Sequence, residues 1–225
     1  MTAAKRALDL AVAILLLALL WPVLAALVLL LLLKEGRPVF YVAERMRTPH
    51  EAFGLIKLRT MRPAAYGTRA TGVTGGDKSD RMSGLHRALR RSRADELPQL
   101  WNVIRGDISL VGPRPPLRIY VEAFPELYER VLRSRPGITG LASLRYHATE
   151  ERLLSACGSA EETDAVYRRR CVPRKAALDL IYQRHAGPCY DLKLIAATAA
   201  GVLRPRSGRF RARARLRRVP ATHDE

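Results

Sequence analysis

Cysteine is scarce in this 225-residue chain and oddly placed. Cys157, Cys171 and Cys189 cannot all pair, and none stands in C-x-x-C spacing. A chain of this length needs no covalent staples, so a disulfide scaffold is excluded and reduced thiols facing the cytoplasm are expected. Histidine is equally thin: five residues, no H-E-x-x-H and no grouping with the cysteines, which argues against a structural zinc site. Aromatics make up only 6% of the chain. Acidic residues are outnumbered by Lys and Arg, 21 to 39, leaving +18 at pH 7. A hydrophobic share of 48% still rules out a disordered polycation, which could not bury enough surface to offset its chain entropy.

Charge is also missing from one long stretch. Leu10 to Leu33 is a run of 24 uncharged residues, nearly all Ala, Val, Ile or Leu. About 20 such residues cross a bilayer. The run is too long for a signal peptide and no small-residue cleavage site follows it. Trp21-Pro22 interrupts it, and a proline in mid-helix removes one hydrogen bond and favours a kink. Lys5 and Arg6 precede the run while Lys34 and Arg37 follow it, so basic flanks assign both ends to the cytoplasm. Two readings stand side by side: a helix that bends at Pro22 and re-enters, and a single span that tolerates the proline.

The chain therefore divides into a membrane helix (1–35), a folded domain (36–203) and a basic tail (204–225). The domain reads as an α-rich α+β fold, mostly helical with a short β-hairpin. Strands are expected at Pro38–Val42 and Phe53–Leu58 around a turn at Thr48–Glu51, then a loop over 63–79. A short basic helix ends near Ser92. From Asp95 a second helix carries Leu97, Leu100, Trp101 and Ile104 on one face and stops at Gly106. A periodic run from Leu117 to Val131 breaks at Pro125, and helices follow around 160–170, 175–184 and 191–203. The tail holds eight arginines between Arg204 and Arg218 and no acid. With an oily anchor in the same chain, anionic lipid headgroups are its expected partner, at about 1 kcal/mol per basic residue near the surface. Nucleic acid is the lesser reading, since no recognition motif accompanies the charge.

The chemistry concentrates in residues 95–115. Asp95 and Glu96 are adjacent acids at a helix start, with Arg87, Arg90, Arg91 and Arg93 just before them. Helix capping alone accounts for acids at such a place. It does not account for Gly112-Pro113-Arg114-Pro115, a stiff turn that holds one guanidinium. An Asp-Glu pair offers a nucleophile and a ligand for Mg²⁺, which prefers one or two carboxylates completed by substrate phosphates. Arginines would take the remaining phosphate charge. Such a site suits phosphoryl transfer through an aspartyl-phosphate type of intermediate.

Four motifs occur in order: K-L-R-T-M at Lys57–Met61, D-E-L-P-Q-L-W-N-V from Asp95, G-D-I-S-L-V-G-P-R-P from Gly106, and R-P-G-I-T-G-L at Arg135–Leu141. With the proline-broken oily N-terminus, the chain closely resembles the bacterial sugar transferase family, the monotopic polyprenyl-phosphate phosphoglycosyl transferases, from residue 4 to about 203. The resemblance implies a re-entrant membrane helix with its break at Pro22, and a small catalytic domain on the cytoplasmic face of the bacterial inner membrane. It implies a two-step reaction with Mg²⁺. Asp95 attacks the β-phosphate of a UDP-sugar and releases UMP; a polyprenyl phosphate, undecaprenyl in bacteria, then takes the phosphosugar. The product initiates polysaccharide or glycoconjugate synthesis. Asp95 and Glu96 would be catalytic and hold the metal. Lys57, Arg59, Arg90 and Arg114 would hold phosphates. Where many relatives carry a Gln-Val-Asn-Gly-Arg-like stretch, this chain has Ser143–His147, with Arg145 offered as the corresponding arginine. A homodimer is left open. The rival of another class is a membrane-tethered polyanion-binding protein without catalysis, which has no use for Asp95.

Overall fold

The structure is a computed structural model that describes residues 1–62, Val73 and residues 81–203. Apart from Val73, the loop expected over 63–79 lies outside the described residues, as does the basic tail.

Helix α1 (Ala3–Glu35) opens on Thr2, whose hydroxyl accepts from the Lys5 amide. It runs as one continuous element through Pro22. The proline removes the bond that the Ala18 carbonyl would accept, yet the turns on either side stay helical. Both halves of α1 pack on the domain. Ala13, Val12, Leu16 and Leu17 join a core with Leu100, Val103, Ile108 and Leu110. Leu31, Leu24, Leu27 and Val28 join another with Leu58 and Leu89. Between and outside these contacts, Ile14, Leu15, Leu19, Trp21, Val23 and Leu33 stay exposed. It is the one helix among the described residues long and apolar enough to cross a bilayer.

Polar residues fasten the start of α1. Lys5 Nζ donates to Asp191 Oδ2 at 2.5 Å, Tyr182 Oη at 3.2 Å and the Val111 carbonyl at 3.1 Å. Asp9 accepts from Ser109 Oγ at 2.7 Å and from the Leu110 amide at 3.2 Å. Arg6 caps the last carbonyls of the helix that follows the acid pair, Val103 and Ile104.

The hairpin is present, longer and later than expected in its first strand. β1 (Phe40–Met46) pairs antiparallel with β2 (Ala52–Leu58), with Tyr41 opposite Lys57. Glu44 and Arg45 hid the far half of β1, because charges there break the apolar run. Helix α2 (Gly84–Ser92) starts on a capping box of Ser83 and His86. A 3₁₀ turn (Ala94–Glu96) and α3 (Gln99–Arg105) follow, with α3 ending at Gly106, φ 90°. The helix expected from Asp95 is thus split, and its buried face differs as well. Gln99, Leu100, Asn102 and Val103 are buried while Trp101 is exposed. Asn102 explains the shift. It donates to the Gly54 carbonyl and to Asp107, each at 2.8 Å, and accepts from the Ile56 amide at 3.0 Å, stitching α3 to β2.

A second, parallel pair, β3 (Ser109–Val111) with β4 (Gly137–Thr139), was not foreseen. Its glycines are required by contact. A Cβ on Gly137 would lie 2.3 Å from the Gly112 nitrogen, and one on Gly112 would lie 2.2 Å from the Arg135 carbonyl oxygen. The run from Leu117 splits at Pro125, as expected, into α4 (Arg118–Ala123) and α5 (Pro125–Val131). Tyr120, Val121, Tyr128 and Val131 turn inward, so this run is core rather than a membrane-facing surface. Then come α6 (Leu141–Ser155), α7 (Ala160–Val166), a π-helical stretch (Tyr167–Cys171), α8 (Val172–His185) and α9 (Pro188–Leu203).

Candidate active site

The acid pair owes its position to a forced turn. Arg93 ends α2 with φ 58°, the single positive φ outside glycine among the described residues. That conformation costs an ordinary residue about 1–2 kcal/mol. It redirects the chain so that the 3₁₀ turn carries Asp95 inward, where it is 7% exposed, back beside Arg90 of the preceding helix.

The two carboxylates are treated differently. Glu96 Oε1 accepts from Arg114 Nη2 at 2.8 Å, and Oε2 faces Arg93 Nη1 at 3.4 Å. Burial pushes Glu96 upward, but Arg114 and Arg93 outweigh it and hold its carboxyl below the ordinary value. Asp95 goes the other way. Burial and the neighbouring Glu96 raise it to about 6, against the pull of Arg90, Lys57 and Arg114. Lys57 is lowered to about 8, first by burial and then by Arg90, Arg45 and Arg114. Burial depresses Arg90 and Arg93 too, while Glu96 raises Arg114. The site is a dense cationic shell around one restrained and one unrestrained carboxylate.

Of the residues expected from sequence, the structure brings together Asp95, Glu96, Lys57, Arg90 and Arg114. It does not bring in Arg59. That guanidinium is buried against the end of α1, donating to the Glu35 carbonyl at 2.7 Å, to that of Gly36 at 2.9 Å and to that of Arg37 at 3.3 Å. Arg59 thus caps the C-terminal end of α1. Arg145 stands exposed on α6, with no hydrogen bond or ion pair tying it to the acid pair. Arg93, one of the arginines that precede the acid pair in sequence, completes the shell together with Arg45, which the sequence motifs do not single out. Arg45 shares a strand face with Tyr41 and, like Lys57, reaches the site from the hairpin; a period-two reading of the full β1 would have shown it.

Behind Arg114 lies a cavity of about 90 Å³. Arg45, Glu150, Tyr167, Lys175 and Asp179 line it. Lys175 Nζ donates to Glu150 Oε1 at 2.8 Å and to Tyr167 Oη at 3.3 Å. Asp179 is pushed up to about 7 by burial, and its Oδ1 has no hydrogen-bond partner among the described residues.

Among the described residues no three His, Cys, Asp or Glu side chains form a ready metal cage. Asp95 and Glu96 fit Mg²⁺ in another way. Their mutual repulsion helps raise Asp95, and a bound divalent cation would relieve it.

The model of the family described as bacterial sugar transferase matches residues 1–205. The chain belongs to the bacterial sugar transferase family. Three relatives of this transferase illustrate the match. The Caulobacter vibrioides protein named UDP-glucose:undecaprenyl-phosphate glucose-1-phosphate transferase is 35% identical over 203 residues, which cover 88% of this chain and 69% of that protein. An exopolysaccharide production protein ExoY of Sinorhizobium fredii is 37% identical, over 61% of this chain and 66% of its own. An Escherichia coli protein with the same name as the Caulobacter one is 30% identical, over 86% of this chain and 39% of its own. The transferase thus spans about two thirds of the first two relatives and under half of the third. The family match takes in the acid pair, the cationic shell and α1 together.

Proposed function

We propose that this protein transfers a sugar phosphate from a UDP-sugar to undecaprenyl phosphate at the cytoplasmic face of the bacterial inner membrane, initiating polysaccharide or glycoconjugate synthesis. One Asp95 oxygen attacks the β-phosphorus of the donor. The bond from that phosphorus to the bridging oxygen breaks, UMP leaves with that oxygen, and the sugar phosphate stays on Asp95. An oxygen of the acceptor phosphate then attacks the same phosphorus, displaces Asp95 and gives the polyprenyl-diphosphate sugar. The observation that carries this reading is a buried carboxylate, without a restraining partner, inside a shell of Lys57, Arg90 and Arg114.

The chemistry demands such a shell. A carboxylate approaching a diphosphate meets like charge, and preorganised cations in a water-poor site supply the neutralisation. Lys57, Arg90, Arg45 and Arg114 hold phosphate oxygens. Asp95 and Glu96 would hold Mg²⁺, which when bound supplies further charge neutralisation on the diphosphate. Glu96, pinned by Arg114 and Arg93, keeps its charge at neutral pH and marks the ligand role rather than the attacking one. A polyanion-binding protein without catalysis has no need of two carboxylates at the centre of its cations.

The packing of α1 supports this membrane placement. Its two ends both dock on the same domain, through Lys5 and Asp9 near one end and Leu31 near the other. A helix spanning the bilayer would put those ends on opposite faces, about 30 Å apart across hydrocarbon. A re-entrant, monotopic arrangement keeps both on one side and leaves Trp21 and its neighbours for lipid. The test of the reaction is nucleotide release: purified protein, Mg²⁺, polyprenyl phosphate and a panel of UDP-sugars. UMP is expected with one donor class, and UDP would overturn the assignment.

A further inference from the structure

The reaction needs a place where the acceptor's hydrocarbon leaves its phosphate, and the start of β1 has the shape of one. Phe40, Tyr41 and Val42 are consecutive, apolar or aromatic, and 46%, 52% and 60% exposed. Three such residues in a row on a strand are unusual for a surface, because alternation normally hides every second one. Their position is continuous with the lipid-facing end of α1. Leu29, Leu30, Leu32 and Leu33 are exposed there, and Val39 packs against Leu31 and Leu58 in the same cluster.

The other side of Tyr41 faces the chemistry. Tyr41 is the register partner of Lys57, and Lys57 Nζ lies 5.3 Å from the centre of its ring. Lys57 stands on β2, which packs against the 3₁₀ turn that carries Asp95. Tyr41, Ala43 and Arg45 point to one face of β1, so a row of side chains runs from the exposed ring to a cation of the site. A ligand with an anionic head and a branched, unsaturated tail fits this row end to end. Its phosphate meets Lys57, and its first isoprene unit lies over the ring, whose hydroxyl suits the membrane–water boundary.

We infer that Tyr41 is the docking point for the proximal isoprene units of the polyprenyl phosphate acceptor. The inference rests on the transferase reading above and names the acceptor's path into that site. Tyr41 positions the acceptor and takes no part in bond making. Losing the contact of a ring face with one isoprene unit, some tens of Å² of apolar surface, corresponds to roughly a tenfold weaker acceptor.

The test separates the two half-reactions in detergent micelles, where membrane affinity is not limiting. UMP released in the first turnover without acceptor reports the donor step. The KM for polyprenyl phosphate in full turnover reports the acceptor step. Tyr41→Ala should raise the acceptor KM about tenfold, with at least a fivefold smaller effect on the donor step. Tyr41→Phe, which keeps the ring, should restore the KM to within about twofold of the parent. An unchanged KM in Tyr41→Ala would overturn the inference. So would an equal loss in both steps, the mark of a merely structural residue. Release of UDP by the unaltered protein is a separate result, which overturns the transferase reading and this inference with it.

Discussion

Arg114 ties down Glu96, its Nη2 donating to Oε1 at 2.8 Å, while the adjacent Asp95 carboxylate accepts no hydrogen bond from any described residue. In the proposed reaction these two neighbouring acids would divide their work. The restrained one would hold a cation in place, and the unrestrained one would be free to move onto a phosphorus.

Asp95→Asn should therefore abolish UMP formation and stabilise the fold. Burial raises Asp95 to about 6, so its ionised form is disfavoured in the folded chain. A folded-state value above the unfolded one makes stability fall as pH rises through that interval. Removing the charge should recover on the order of 2 kcal/mol above pH 6, and the gain should vanish below about pH 4. Thermal melts of both proteins at pH 4 and pH 7.5 check the sign. A mutant less stable at pH 7.5 would contradict the burial account.

The pH profile of the donor step should be bell-shaped. On its acid side Asp95 must lose a proton, near 6, before it can attack. On the alkaline side Lys57 loses the charge that holds phosphate, near 8. Lys57→Arg should remove the alkaline limb and leave the acid limb in place, since guanidinium stays charged throughout. UMP release at low donor concentration across pH 5–9 reads both limbs.

Arg114→Ala should lower turnover by about a hundredfold or more, because it removes a phosphate contact and frees Glu96 together. Arg93 remains beside Glu96, and the Arg114 side chain is 39% exposed, so the stability loss should be modest, about 1–2 kcal/mol. Denaturant melts beside kinetics separate the two effects.

Lys5→Met should destabilise the protein by about 3 kcal/mol, because it leaves the buried Asp191 carboxylate without its cation and with only the Tyr182 hydroxyl donating to it at 2.7 Å. Pairing it with Asp191→Leu should recover much of the loss. Protease sensitivity at the start of α1, measured for both variants, gives the comparison.

How far the sequence carries depends on where each feature's information lies. The hairpin, the break at Pro125 and the stop at Gly106 are written in local chemistry, and all appear. The gathering of Asp95, Glu96, Lys57, Arg90 and Arg114 was legible through the family's motifs. The β3–β4 pair was not. Three-residue strands leave no alternation to read, and their signature is the close approach of Gly112 to Gly137, two residues far apart in the chain. The surroundings of Arg59 are hidden for a similar reason: a basic residue at a strand end looks like a phosphate ligand, and only the fold brings three carbonyls of the α1 terminus around it. Asn102, two of whose three side-chain partners lie in β2, stands off the apolar face that the sequence shows, so nothing local marks it as buried.

The most direct measurement is to look for the sugar phosphate on the protein. The transferase would be incubated with its UDP-sugar and Mg²⁺ without acceptor, quenched, digested and mapped by mass spectrometry. A sugar phosphate on the peptide that contains Asp95, lost on adding polyprenyl phosphate and absent from Asp95→Asn, is the result expected. Turnover to UMP and polyprenyl-diphosphate sugar by Asp95→Asn at the parent rate, with no adduct in either protein, would contradict the account.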